Sequence, residues 1–182
     1  MYFKRMTTNT FGTGSAATAV AGNTLTASAA TLTVVNNASV GATTVIEGGS
    51  SILLGSYLLQ TSSAEGVNVS SIATRTAVAG VSTTVITPLS NLKLKRTDTG
   101  AQLGTIISAP ATIAGGFSTN TFSVSGQLNI PASTTVQIDL YGNLSTAASD
   151  GGTDDTYITS INTDTVSGVG AISGTSITGP TA

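Results

Sequence analysis

Four aspartates are the first residues to weigh as chemistry. Asp150, Asp154 and Asp155 fall in the stretch SDGGTDD, and Asp164 follows in the next segment. Calcium takes about six to eight oxygen ligands and accepts loops that mix carboxylates with backbone carbonyls. The loop is therefore a weak calcium candidate. EF-hand spacing is absent, and an Asp- and Gly-rich turn is equally stable solvated, with no ion in it. Paired carboxylates also serve glycosidases as acid and base, but such sites sit in clefts walled with aromatic rings. This chain has four Tyr, four Phe and no Trp. Ser and Thr are abundant, yet a nucleophilic hydroxyl needs a base beside it, and the chain contains no His and no Cys. No catalytic residue is assigned, and no cofactor beyond calcium is expected.

The remaining reactive groups are few. Lys93 and Lys95 alternate with Leu92 and Leu94, which puts both ammonium groups on a solvated strand face. A Lys–Asn or Lys–Asp isopeptide crosslink needs a buried lysine, so this pattern argues against one. Asn37, Asn68 and Asn143 open the frames NAS, NVS and NLS, which are glycan acceptors only in a host with that machinery. Tyr57, Tyr141 and Tyr157 form a sugar-stacking surface only if they share one face.

Positioning these groups falls to short extended segments. Charged residues make up 8% of the chain and hydrophobic residues 40%, with a mean hydropathy of +0.31. Disordered chains show the reverse balance, so a folded core is expected. A net charge of −2 with six Lys plus Arg supplies no basic footprint for nucleic acid. No apolar run is long enough to span a bilayer, and the basic pair Lys4-Arg5 lacks the apolar stretch of a secretory signal. The chain is accordingly expected to be a processed product, a piece of a longer one, or exported by another route.

Helix formers are scarce while β-branched residues and Gly recur. Residues 1–23 read as an irregular leader. Strands are expected at Thr24–Ala27, Thr31–Val35 and Ser51–Thr61, the last bulged at Gly55, with a turn at Asn36-Asn37 and a short extended piece from Thr43 to Ile46. In VNVSSIATRTAV the alternation slips near Ser70-Ser71, which predicts a second bulge. Leu92 and Leu94 lead through the turn Asp98-Thr99-Gly100 to a partner strand Leu103–Ile107. Phe117 to Ile130 and the strictly alternating Val136, Ile138, Leu140 follow, and Tyr157–Ile161 and Ala171–Ile177 are expected to close the fold. Eight or nine strands with regular turn signals predict an all-β antiparallel sandwich, with no crossover helices for a parallel sheet. Residues 1–30 are expected as an extended leader or linker and 31–182 as the sandwich. The leader weakly echoes the C-terminal stretch around Val169–Gly179, as if it belonged to a neighbouring module. On that reading Leu25, Leu32 and Val34 are donor-strand positions that complete an adjacent subunit; otherwise the strand closes its own domain.

From about residue 30 on, the order of elements resembles the immunoglobulin-like modules of bacterial surface proteins, among them S-layer proteins and repeat-built adhesins. LTVVNNASVGATTVIEGGSSILLGSYLLQTSSAEGVNVSSI, LSNLKLKRTDTGAQLGT and FSVSGQLNIPASTTVQIDLYGNLS carry the likeness. It is a pattern of strands and turns: a Leu-x-Leu hairpin around a Gly-containing turn, then Ile-Pro-x-x-Thr-Thr leading into a long alternating strand. The resemblance implies an extracellular, cell-surface structural module and brings no catalytic residues with it. The expected function is a non-enzymatic subunit that assembles with copies of itself or neighbouring modules into a surface layer, filament or stalk. The alternative is a carbohydrate- or receptor-binding adhesin module of the same fold, with glycans as partners.

Overall fold

The computed structural model describes residues 2–4, 11–13, 28–41, 44–79, 88–113, 116–146 and 156–179. Eleven strands run through them: β1 (Tyr2–Lys4), β2 (Phe11–Thr13), β3 (Leu32–Asn36), β4 (Ile52–Thr61), β5 (Val67–Ala79), β6 (Leu89–Arg96), β7 (Gln102–Ile107), β8 (Phe117–Ile130), β9 (Thr135–Leu144), β10 (Thr156–Gly170) and β11 (Ser176–Thr178). No helix occurs among the described residues. β1 and β2 form a small antiparallel ribbon within the stretch read from sequence as irregular. The other nine strands make two antiparallel sheets, ordered β11-β10-β5-β8 and β3-β4-β9-β6-β7.

The two sheets face each other across one core, so the chain is a β-sandwich. From the five-stranded sheet come Leu32, Leu59, Leu92, Leu94, Leu103, Ile138 and Leu140; from the other come Val67, Val69, Ile72, Phe122, Leu128 and Ile130. Period-two patterning dictates this arrangement. In β8 the residues alternate exposed and buried from Phe117 to Val124, so Phe122 is core while Phe117 faces out. In β6, Leu92 and Leu94 are buried and the two lysines between and after them point away.

Both expected bulges are present. The β4–β9 register slips between Leu53 and Gly55, and β5 slips against β8 between Val69 and Ser71. Each extra residue returns the next apolar side chain to the core. The β6–β7 hairpin closes with Gly100 at φ 67 and Gly100 N–H donating to Arg96 O at 2.8 Å. An Arg96–Asp98 ion pair at 2.8 Å spans the same turn.

Three segments depart from expectation. Of the expected piece from Thr43 to Ile46, Thr43 lies outside the described residues, and residues 44–46 lie exposed and pair with no strand among the described residues. β10 runs to Gly170, much longer than Tyr157–Ile161, since Val67–Ile72 pairs with Val166–Gly170 across a register shift at Ser167/Gly168. The stretch from Ala171 is a turn, and only Ser176–Thr178 returns as a strand. The turn is held by Glu65, whose carboxylate accepts from Ile172 N–H at 2.8 Å, Ser173 N–H at 2.9 Å and the Ser173 hydroxyl at 2.6 Å. These bonds, the Ser173 hydroxyl first, hold the Glu65 carboxyl below its usual range.

The interior changes character along its length. Beyond Ile72 and Phe122, the facing positions of the four-stranded sheet become Thr74, Thr76, Ser118 and Asn120, all buried. Thr74 lies opposite Asn120 and Thr76 opposite Ser118. Thr74 Oγ1 donates to Asn120 O at 3.3 Å, and Ala111 N–H donates to Asn120 Oδ1 at 2.8 Å. The Thr76 hydroxyl has no partner among the described residues.

Candidate functional site

A sheet edge is a row of backbone donors and acceptors that no strand has yet satisfied, and soluble proteins commonly guard it with charge, Pro or a short length. Among the described residues the sandwich has four edge strands: β3 and β7 on one sheet, β11 and β8 on the other. Their sequences are LTVVN, QLGTII, SIT and FSTNTFSVSGQLNI, with no Lys, Arg, Asp, Glu or Pro among them. Charges on strands of the two sheets sit instead on β5 (Arg75), β6 (Lys93, Lys95, Arg96), β9 (Asp139) and β10 (Asp164). That inverts the usual protection.

β8 is the longest of the four, at 14 residues. β7 comes against it in its second half: Gly104 N–H donates to Gln127 Oε1 at 2.7 Å, and a Cβ on Gly104 would lie 2.8 Å from Ser123 O. Gly104 has φ 68, so a glycine is needed there twice over. N-terminal to Ser123, no strand of the two sheets pairs with the outer flank of β8 among the described residues, but the segment after β7 runs on beside it, with Ala111 N–H on Asn120 Oδ1 and Pro110 and Ile113 close to Ser118 and Asn120. The side chains on its outer face are Phe117, Thr119 and Thr121, all exposed. Arg75 of β5 stacks on Phe117, its guanidinium carbon 3.8 Å from the ring centre. β11 covers only Ser167–Val169 of β10 on the opposite flank.

The outer face of the five-stranded sheet carries a compact polar network. Ser56 Oγ donates to Asp139 Oδ1 at 2.7 Å, and Gln137 Nε2 donates to the same oxygen at 3.1 Å. Asn37 Nδ2 reaches Ser56 Oγ at 3.3 Å. Cross-strand neighbours in register bring Lys95 beside Asp139 and Lys93 beside Tyr141. Lys95 Nζ stands 5.6 Å from the Tyr141 ring centre, and Lys93 Nζ donates to Ser51 Oγ at 2.6 Å. Both lysines thus lie on the outer face, as the alternation predicts, and a buried crosslinking lysine is not among them.

Candidate residues named from sequence are scattered. Asp150, Asp154 and Asp155 lie outside the described residues, and of the Asp164 side chain nothing is described; elsewhere among the described residues no three carboxylates gather. Asn37 is 8% exposed; its Oδ1 accepts from Ser39 N–H at 3.1 Å, a local turn bond that gives this frame a structural role. Asn68 lies mid-sheet on β5, and Asn143 Oδ1 accepts from Ser51 N–H at 2.9 Å. Of the donor-strand positions, Leu25 lies outside the described residues. Leu32 and Val34 lie on β3, which pairs with β4 of its own chain.

The three tyrosines do not share a face. Tyr57 is 3% exposed and crosses the core, where its hydroxyl donates to Thr159 Oγ1 at 3.0 Å. Thr159 Oγ1 in turn donates to Leu54 O at 2.6 Å, tying the sheets together at the β4 bulge. Gly55 makes room for this, since a Cβ there would lie 2.5 Å from Thr159 Oγ1. Tyr157 packs against the core from its margin, and only Tyr141 lies outward with the lysines. The best-formed concavity among the described residues, between Pro88, Pro110, Ile113 and Asn120, is too tight to admit a water molecule.

Sequence reading missed the edges, because adjacency of strands is set by topology and not by local pattern. A signal was present: FSTNTFSVSGQLNI is the longest alternating stretch without a charge.

Fold and surface together define the class: an all-β sandwich of two antiparallel sheets. No family model matches the chain, and no curated protein or solved structure matches it significantly.

Proposed function

We infer that this protein is a non-catalytic structural subunit that assembles with copies of itself, outside the cell, into a surface layer, filament or multi-domain stalk. One observation carries the reading: among the described residues the edge strands of both sheets bear no charge, while four of the five interior strands, β5, β6, β9 and β10, do. Pairing an edge desolvates backbone groups that another strand can satisfy at once, whereas a charged edge must also strip water from its ions. β7 lies over β8 on one flank of the sandwich, and β3 lies over β10 on the other. Unguarded strands on both flanks suit growth in two directions, as a row of modules requires. A likeness to immunoglobulin-like modules of bacterial surface proteins agrees with this reading.

The rival, a carbohydrate-binding module, draws support from Tyr141, Lys93, Lys95 and Asp139 on one face. A single aromatic ring is a small stacking platform for a sugar, so assembly is the better-supported function.

Electron microscopy and sedimentation of the purified protein over a range of concentrations test the reading. Ordered rows, sheets or filaments are the expected result. A monodisperse monomer that binds a glycan array would sink it in favour of the rival.

A further inference from the structure

We propose that Glu65 is an acid-operated latch on the C-terminal strand. With its carboxylate protonated, residues 171–179 leave β10 as a unit while the sandwich behind them stays folded. The backbone of Ser167–Val169 is then uncovered. The device is separate from assembly and works within a single molecule.

The segment has little else to hold it. From Ala171 to Thr178 every residue is exposed except Ile177, which is half-buried against the core. Ile172, at the turn, is 87% exposed. β11 pairs with β10 over three residues, and Gly179 N–H adds a bond to Val166 O at 2.8 Å. A stretch with so few buried apolar contacts opens at low free energy unless something else pins it.

Glu65, in the link between β4 and β5, is that pin. Its Oε2 accepts from the Ile172 and Ser173 N–H groups, and its Oε1 accepts from the Ser173 hydroxyl. Ala171 N–H donates beside it to Gly66 O at 2.9 Å. Thr175 N–H donates to Ser173 Oγ at 3.1 Å, which passes the hold on towards β11. The seat is close-fitting: a Cβ on Gly170 would lie 2.5 Å from both Glu65 Oε1 and Ser173 Oγ.

Three donors suit an ionised carboxylate. Protonation turns one acceptor oxygen into a donor and removes the charge that strengthens the other bonds. No neighbouring charge takes over. Residues 28–32 and 130–134, packed on the link, and 168–175, packed on Glu65 itself, contain no Lys, Arg, Asp or Glu. The folded-state pKa is lowered, so the bonds are at full strength above the unfolded value of about 4.3 and are lost as pH falls through the folded one. The latch is closed at neutral pH and opens in acid.

Residue-resolved amide exchange on the full chain, expressed as protection factors, tests this. Gly179 is the decisive reporter, because its N–H bonds to β10 and not to Glu65; loss of a merely local turn bond would leave it protected. Between about pH 6 and about pH 3 its protection is expected to fall at least about tenfold, while amides of Val69 and Leu140 in the core strands keep theirs. Glu65→Gln is expected to show low protection at Gly179 at both pH values, with no step between them. Ser173→Ala removes the first of the bonds that hold the carboxyl low, so its step is expected at higher pH, and it carries the test if Glu65→Gln fails to fold. Constant protection at Gly179, a step retained in Glu65→Gln, or core protection lost together with Gly179 overturns the latch. None of these outcomes bears on self-assembly, which sedimentation reads separately.

Discussion

The bridge from Tyr57 through Thr159 to the Leu54 carbonyl supports a quantitative test of how the two sheets are held. Tyr57→Phe removes one neutral hydrogen bond, 3.0 Å long, and strands no donor, because Thr159 still donates to Leu54 O. Its cost is about 0.5–1.5 kcal/mol. Thr159→Val removes both bonds and leaves the Tyr57 hydroxyl in the core with no acceptor. Two unmet polar groups at about 1–3 kcal/mol each put this variant at about 2–6 kcal/mol. In the double variant the stranded hydroxyl is gone, so the combined loss falls short of the sum by about 1–2 kcal/mol. Urea unfolding followed by far-UV circular dichroism measures all three, with unchanged m-values as the check on two-state behaviour. Each kcal/mol corresponds to roughly 2–4 °C in Tm for a chain of this size. Additivity within about 0.3 kcal/mol would show that the three groups do not act as one bridge. The bridge has a pH consequence too. Burial pushes the Tyr57 phenol above its ordinary value, against a smaller opposing effect of the bond to Thr159. A raised folded-state pKa leaves stability intact below the unfolded value of about 10 and removes it as pH climbs further. Tyr57→Phe should therefore flatten the alkaline limb of the stability profile, and an unchanged limb would place that loss elsewhere.

Further outcomes are expected at other positions. Glu65 has a lowered folded-state pKa, so its contribution is full above the unfolded value of about 4.3 and is lost as pH falls through the folded one. Thermal melts between neutral and acid pH should fall less steeply for Glu65→Gln than for wild type; parallel slopes would contradict the clamp. Gly104→Ala combines φ 68 with a clash against Ser123 O, and should cost about 1–3 kcal/mol by urea unfolding. Phe122→Ala, fully in the core, should cost about 3–5 kcal/mol, whereas Phe117→Ala loses an exposed ring and an Arg75 contact worth about 0.5–1 kcal/mol. Because the edges carry no charge, assembly followed by light scattering should change little between low salt and about 1 M salt, where screening is nearly complete; dissolution by salt would point to ionic contacts instead.

Much of the fold was legible because period two is a local signal. Leu92 and Leu94 against Lys93 and Lys95, or Val136, Ile138 and Leu140 against Gln137 and Asp139, declare their faces within a few residues. The bulge near Ser70 showed as a slip in the same alternation, and the one at Gly55 as a glycine inside an apolar strand. Length was harder to read. Ala171–Ile177 has a strand-like composition, yet Glu65, distant in sequence, folds its first part into a turn. The β10 strand outran its expected end for the complementary reason, a long partner in β5. The sequence makes Tyr57 a sugar-stacking candidate only if it shares a face with Tyr141 and Tyr157, and only the position of Thr159 on the opposite sheet explains why its hydroxyl lies inside. Which strands become edges was not legible at all, since that depends on the order in which distant segments pair.

The hydroxyl-lined end of the interior sets where the molecule breathes. Burying Thr74, Thr76, Ser118 and Asn120 yields far less hydrophobic stabilisation than burying Ile72, Phe122 and Leu128, and the Thr76 hydroxyl, without a partner among the described residues, adds a desolvation cost. Opening therefore begins at that end and stops at the aliphatic layer. Amide exchange should be fastest in the C-terminal half of β5 and the first residues of β8.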